Sequence, residues 1–252
     1  MQNRPTAALD ALRSRIQAIE WSGRASHGVL PFGLASLDVV LPGGGLAKGA
    51  LHEVAGGGMG AVDGAAAALF AAGIVARVPG RVLWCVTRPD LFAPALDQGG
   101  LDPDRVIYVE AGNEVTVLAC FEEGLRHGGL AGVVAEVARL SMTASRRLQL
   151  AAETSGTIGI AVRRWRRATE AVDFGQPTAA VTRWRVSALP SAPLPVPGVG
   201  RARWFVELIR CRAGECAEFR VEACDETGRL ALPSDLADRS MAPPARRVRT
   251  SA

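Results

Sequence analysis

The stretch EVAGGGMGAVDG, Glu53 to Gly64, has the outline of a phosphate-binding loop. A short apolar segment precedes it and predicts a strand, and the small residues that follow it predict a helix. Glycines between a strand and a helix expose backbone N–H groups that can cradle phosphates, as in the pattern G-x-x-x-x-G-K-[ST]. The stretch therefore predicts an α/β core that is built around a strand, a tight turn and a helix.

The side chains that bind phosphate in such a loop are missing. Anchored at Gly56, the pattern places Ala61 at its second glycine, Val62 at its lysine and Asp63 at its hydroxyl residue. The single lysine of the chain, Lys48, lies before the strand. A carboxylate at position 63 would repel a polyphosphate, since like charges about 4 Å apart repel by about 4 kcal/mol at an effective dielectric of about 20.

We therefore interpret the stretch as a glycine-rich turn that close backbone packing requires. We expect no nucleotide cofactor, no catalytic residue and no metal at this position. The degenerate loop consists of Gly56, Gly57, Gly58, Gly60, Val62 and Asp63.

Downstream of the loop, apolar strands alternate with helices. The predicted strands cover residues 50–55, 81–87, 104–111, 131–138 and 157–165, and the predicted helices cover 61–77, 90–100, 113–129 and 141–156. Nearly continuous apolar strands between helices are typical of a parallel sheet that is covered on both faces. A further short helix is predicted around 36–41.

Beyond residue 165 the pattern changes to apolar and charged residues in alternation. The segments 179–190, 201–214 and 215–232 predict antiparallel strands with one solvated face. We expect a single core domain over 26–234, preceded by a helix and linker over 1–25 and followed by a basic, disordered tail over 235–252. The fold class that we predict is α/β, with a mostly parallel sheet and a C-terminal antiparallel extension.

Composition excludes several classes of protein. The chain has 252 residues, 48% of them hydrophobic, which is enough for a sizeable core. No apolar run approaches the roughly 18 residues of a membrane span, and the charged N-terminus is unlike a signal peptide, so we expect a cytoplasmic protein without membrane contact. Five cysteines without a CxxC pattern indicate neither a disulfide framework nor a metal site. The three histidines are expected in turns or partly buried positions.

Arginine and tryptophan cluster after the last predicted parallel strand. Arginine and indole side chains suit phosphate contact and base stacking in single-stranded DNA, and the carboxyl ends of parallel strands are where binding crevices form. A protein contact and a solvated strand end are the alternatives; Trp184 between two arginines also fits a core-facing residue flanked by solvated charges. The candidate residues are Arg163, Arg164, Trp165, Arg166, Arg167, Arg183 and Arg185.

The N-terminal segment predicts an amphipathic helix over residues 6–20. Its apolar side chains Leu9, Leu12, Ile16 and Ile19 recur at helical spacing. This face is a candidate protein interface, with a partner or with a second copy of the chain, and docking on the chain's own core is the alternative.

The order of these features resembles the RecA-type ATPase core. The stretch from Gly33 to Gly60, FGLASLDVVLPGGGLAKGALHEVAGGGMG with its preceding Phe32, is the most specific part, and the resemblance extends over about residues 6–232. In that family a glutamate after the second strand activates water, but VTRPD stands here instead. Glu136 takes the place of the magnesium-side acid, and we interpret it as a structural acid because no nucleotide ligand accompanies it.

A RecA-like chain with a disabled phosphate loop is similar to the ImuA family of damage-inducible mutagenesis proteins. That resemblance implies a non-catalytic adaptor in the SOS response. It also implies two partners in translesion synthesis, an ImuB-like inactive homologue of Y-family polymerases and an error-prone replicative polymerase subunit. Single-stranded DNA, RecA and a second copy of the chain are further candidate partners. The alternatives are a division inhibitor like SulA and an atypical RecA-like ATPase.

Overall fold

The structure is a computed structural model, and it describes residues 27–58, 60–165, 168–194 and 196–233. The predicted N-terminal helix with Leu9, Leu12, Ile16 and Ile19, the residues Arg166 and Arg167, and the basic tail lie outside the described residues. The domain boundaries stay predictions.

A small antiparallel pair leads into the core. Strand β1 (Val29–Leu30) pairs with β2 (Leu46–Ala47), and between them lies the short helix α1 (Ala35–Asp38). The Asp38 carboxylate accepts hydrogen bonds from the backbone N–H groups of Phe32 and Gly33, at 2.7 and 2.9 Å. This side chain therefore closes the turn that precedes α1.

One sheet of eight strands forms the centre of the described structure, in the order β10-β9-β8-β3-β7-β6-β4-β5. The strands are β3 (Leu51–Gly56), β4 (Val82–Val86), β5 (Val106–Glu110), β6 (Gly132–Val137), β7 (Ile158–Arg163), β8 (Thr182–Leu189), β9 (Arg203–Cys211) and β10 (Ala217–Glu222). Strands β3 to β8 are parallel, and β9 and β10 are antiparallel additions at one edge. The predicted fold class is confirmed.

The prediction for residues 179–190 is wrong in one respect. Strand β8 pairs in parallel with β3 on one side and antiparallel with β9 on the other. Residues 164–181 form a connection that is long enough to cross back over the sheet, so β8 starts at the same end as β7. The antiparallel extension therefore begins only at β9.

Helices cover both faces of the sheet. Helices α2 (Ala61–Ala76) and α3 (Ala93–Gln98) pack on one face, in a core that contains Phe70, Trp84 and Trp184. Helices α4 (Glu114–His127) and α5 (Met142–Ser155) pack on the other face. The single turn α6 (Ala168–Ala171) follows β7. Among the described residues, no helix is long and apolar enough to cross a membrane.

Candidate functional site at the carboxyl edge of the sheet

Two cavities lie side by side at the carboxyl ends of the parallel strands. The apolar cavity, about 430 Å³, lies between the glycine loop, the first turns of α2, and α3. The polar cavity, about 440 Å³, lies beyond the ends of β4, β5 and β6. Asp90, Arg164 and Trp165 line both cavities and form the wall between them. This edge is where open α/β sheets bind their ligands.

The glycine loop is packed tightly against β8. A Cβ atom on Gly57 would lie 1.8 Å from the Ser187 hydroxyl oxygen, and one on Gly56 would lie 2.9 Å from the backbone of Asp63. The backbone N–H of Gly57 donates to the Val186 carbonyl at 2.9 Å. Close approach of the two backbones therefore requires these glycines, as the packing interpretation of the sequence expects.

Asp63 continues the contact between the loop and β8. Its Oδ1 accepts a hydrogen bond from the backbone N–H of Ala188 at 2.8 Å, and a Cβ on Gly58 would lie 2.7 Å from its Oδ2. Val62, at the lysine position of the pattern, is exposed. Lys48 lies before β3, at the opposite edge of the sheet. The loop thus presents a carboxylate, and no lysine, where a nucleotide-binding protein presents cations.

Glu136 is surrounded by protein hydrogen-bond donors. One carboxylate oxygen accepts from the Trp84 indole at 3.1 Å, and the other accepts from the Arg164 guanidinium at 2.6 Å. Arg164 also forms a two-point pair with Asp90, at 2.9 and 3.2 Å. Burial raises the pKa of Glu136, against the opposing effect of Arg164. These contacts support the interpretation of Glu136 as a structural acid.

Arg163 and Arg183 belong to a buried ion cluster on the α5 side of the sheet. Glu53, fully buried on β3, pairs with Arg163 at 2.8 Å and with Arg183 at 3.1 Å. Asp173 pairs with Arg163, and the Thr178 hydroxyl donates to Glu53. Buried charges need such partners because desolvation of an unpaired charge is costly.

The predicted DNA contact is wrong for Arg163 and Arg183, because both belong to this buried cluster. Arg163 and Arg183 are 1% and 6% exposed, so their guanidinium groups cannot reach a nucleic acid in this structure. Both guanidinium groups lie over the ring of Phe174, at 5.8 and 5.0 Å from its centroid. They hold the connection between β7 and β8 against the sheet.

The other candidate residues are partly accessible. The Trp165 indole donates to the Ala138 carbonyl at 3.2 Å and packs edge-on against Phe174. Arg185, about two-fifths exposed, pairs with Glu207 at 3.3 Å. Trp184 is fully buried, which agrees with the alternative of a core-facing tryptophan. The same alternative placed a solvated charge at position 183, and that part is wrong because Arg183 is buried against Glu53.

The predicted position of His52, in a turn or partly buried, is also wrong. His52 lies on β3 and is fully buried. Its Nδ1 lies 2.7 Å from the Thr182 hydroxyl and its Nε2 lies 2.9 Å from the Ala47 carbonyl. It lines neither cavity. We assign it a structural role.

Comparison with known proteins identifies the type of fold and the family. No protein-family model matches the chain. The crystal structure of the RadB recombinase superimposes with a TM-score of 0.54 and 18% sequence identity, over 81% of this chain and 100% of that one. The likeness shows that the fold is RecA-like.

Two curated relatives are much closer in sequence. Protein ImuA from Caulobacter vibrioides strain NA1000 and Protein ImuA from strain ATCC 19089 are each 39% identical to this chain over 238 residues. Each match covers 89% of this chain and 96% of the relative. This identity over nearly the full length of both sequences shows that the chain belongs to the ImuA family.

Proposed function

We propose that this protein is a non-catalytic adaptor in damage-induced translesion DNA synthesis. Its partners in this proposal are those that the family resemblance implies, an ImuB-like inactive polymerase homologue and an error-prone replicative polymerase subunit. The protein would act through surface contacts and not through nucleotide hydrolysis.

The observation that carries the non-catalytic part is the contact of Asp63 with Ala188. The carboxylate stands where a phosphate loop has its magnesium-binding hydroxyl, and its hydrogen bond to β8 holds it in the loop. A polyphosphate there would meet an anion without the compensating lysine. The position after β4 supports the same proposal, because Thr87 and Arg88 cannot act as a carboxylate base.

Retention of labelled ATP by the purified full-length protein tests the non-catalytic part. We expect no retention above that of a protein without a nucleotide site. Retention that is lost in Glu136→Ala but kept in Glu207→Ala, a change at an acid that lines neither cavity, would instead favour the atypical ATPase.

Capture of the tagged protein from DNA-damaged cells tests the adaptor part, with nuclease present to remove bridging DNA. We expect to recover the inactive polymerase homologue, with or without the error-prone polymerase. Recovery of the cell-division machinery in its place, together with filamentous growth and no rise in mutation rate on overproduction, would favour the division-inhibitor alternative. Recovery of no specific protein would contradict the adaptor.

A further inference from the structure

The two cavities differ in chemistry and share the wall formed by Asp90, Arg164 and Trp165; the pair of adjacent cavities at the carboxyl edge of the sheet is called the cleft. We propose that this cleft binds a linear segment of a partner protein in which an acidic residue lies close to an apolar residue. The inference rests on the proposed adaptor function. It places the partner contact at the carboxyl edge beside the glycine loop, where a RecA-type ATPase would bind its nucleotide.

The apolar cavity has room for one or more large apolar side chains beside the small and apolar residues of α2 and α3, although Asp90, Arg163 and Arg164 also line it. Its volume of about 430 Å³ lies within the roughly 300–1,000 Å³ of typical binding pockets. Gly60 and Gly64 line it, and an added Cβ on either would meet no atom within 4 Å, so space remains above the helix. Phe92, 68% exposed, lies at its edge and has apolar surface left to bury.

The polar cavity contains two arginines that have no partner among the described residues. Arg88 and Arg139 line it, both are exposed, and neither forms an ion pair or a side-chain hydrogen bond within the part of the chain that the structure describes. Arg164, in contrast, is already paired with Glu136 and Asp90. Two guanidinium groups that the described part of the chain leaves without a partner lie close to the apolar cavity, and they fit a segment that carries a carboxylate next to its apolar anchor.

The other charges of the cleft disfavour a nucleic acid. Four carboxylates, those of Asp90, Glu114, Glu136 and Glu170, line the polar cavity together with its three arginines. A nucleic acid backbone carries a phosphate at every nucleotide, so several phosphates would come close to these carboxylates. A peptide with one or two acidic residues can pair with Arg88 and Arg139 and keep its own carboxylates away from those of the cavity.

Binding of the full-length protein to overlapping peptides that cover the inactive polymerase homologue tests the inference. We expect the captured peptides to contain an acidic residue within a few positions of a large apolar residue. A labelled captured peptide should then lose about tenfold in affinity for the double variant Arg88→Glu/Arg139→Glu. Gly64→Leu, which places a side chain in the apolar cavity, should have a similar effect.

Matched controls separate the cleft from general effects of charge and size. Arg146→Glu reverses an exposed arginine on α5, and Gly175→Leu enlarges a glycine whose added Cβ also meets no atom; neither residue lines the cleft. Both controls should keep the affinity. Thermal unfolding of each variant shows whether it is folded, and the arginine variant, which changes two exposed side chains, decides the result if Gly64→Leu does not fold.

Several outcomes would overturn the inference. The inference fails, and the proposed function stands, if the whole partner is captured from cells but no peptide binds. The same holds if the cleft variants bind the peptide as well as the wild type does. Loss of oligo(dT) or ATP binding in the arginine variant, without peptide binding, would reassign the cleft to a nucleic acid or a nucleotide. If the partner is not captured at all, the proposed function fails and the inference fails with it.

Discussion

Glu53 and Arg163 form an ion pair in which neither side chain has any exposed surface, with 2.8 Å between Oε2 and Nη1. The pair joins the centre of β3 to the end of β7, and through Asp173 and Phe174 it also holds the connection to β8. The two residues therefore fix the shape of the carboxyl edge on which both cavities lie.

Removal of Glu53 should be strongly destabilising. Glu53→Ala would leave the Arg163 and Arg183 guanidinium groups buried with one carboxylate fewer, so we expect the free energy of unfolding to fall by about 3–5 kcal/mol. Urea denaturation followed by circular dichroism measures this change. Glu207→Ala, which breaks the more exposed pair with Arg185, should lower it by less than about 1 kcal/mol. Equal losses in the two variants would contradict the structural role of the buried cluster.

The buried cluster also shows why the sequence predicted the fold better than the site. Apolar periodicity places β3 to β7 and α2 to α5 within a few residues, because burial of whole strand and helix faces decides those elements. Whether an arginine at a strand end is solvated depends on its neighbour across the sheet, and Glu53 is 110 positions away from Arg163. The available signal was a glutamate within the otherwise mainly apolar strand LHEVAG.

The two glycines of α2 should respond in opposite ways to alanine. Gly64 has open space around an added Cβ, so Gly64→Ala should raise the free energy of unfolding by up to about 1 kcal/mol through helix propensity. An added Cβ on Gly73 would lie 2.2 Å from the Cys224 sulfur and 3.1 Å from the Gly228 carbonyl oxygen. Gly73→Ala should therefore lower stability by about 1–3 kcal/mol. Thermal unfolding measures the change in stability of each variant. A change in the same direction in both variants would contradict the packing described for these glycines.

His52 should make the protein less stable in mild acid. Because the Ala47 carbonyl can only accept, Nε2 donates to it and Nδ1 accepts from the Thr182 hydroxyl, so a second proton on Nδ1 would break the hydrogen bond from Thr182. Burial lowers the pKa of His52 from 6.5 to about 4, against the opposing hydrogen bond to Ala47. The unfolded chain therefore binds the proton first as the pH falls. The stability that neutral His52 contributes is present above pH 6.5 and is lost towards pH 4, by up to about 3 kcal/mol.

The measurement is the free energy of unfolding by urea at several pH values between about 4 and about 7. Carboxylates titrate in the same range, so the comparison is between the wild type and His52→Gln, which cannot titrate at this position. The variant should show the weaker pH dependence. Identical slopes in the two proteins would mean that His52 is not the group responsible.

Direct contact with single-stranded DNA would have to use other residues than Arg163 and Arg183. If Arg166 and Arg167 contact phosphates, Arg166→Ala/Arg167→Ala should flatten the slope of log affinity for oligo(dT) against log salt by about 0.7 for each lost contact. Fluorescence anisotropy at several salt concentrations measures the slope. Arg81→Ala/Arg146→Ala removes the same charge at exposed positions away from both cavities and should leave the slope unchanged. An equal slope in the wild type and the first variant would favour a protein contact or a solvated strand end for this cluster.

The hydrogen bond from Ala188 to Asp63 has a consequence for any attempt to build a working phosphate loop at this position. A change of position 63 to serine or threonine would withdraw a charged acceptor from the backbone of β8, while a lysine at position 62 alone would face the remaining carboxylate. Each single step towards a working phosphate loop is thus opposed either by a lost structural contact or by the lack of its companion residue. The two substitutions are therefore coupled, and the packing of the loop against β8 works against the introduction of either one alone.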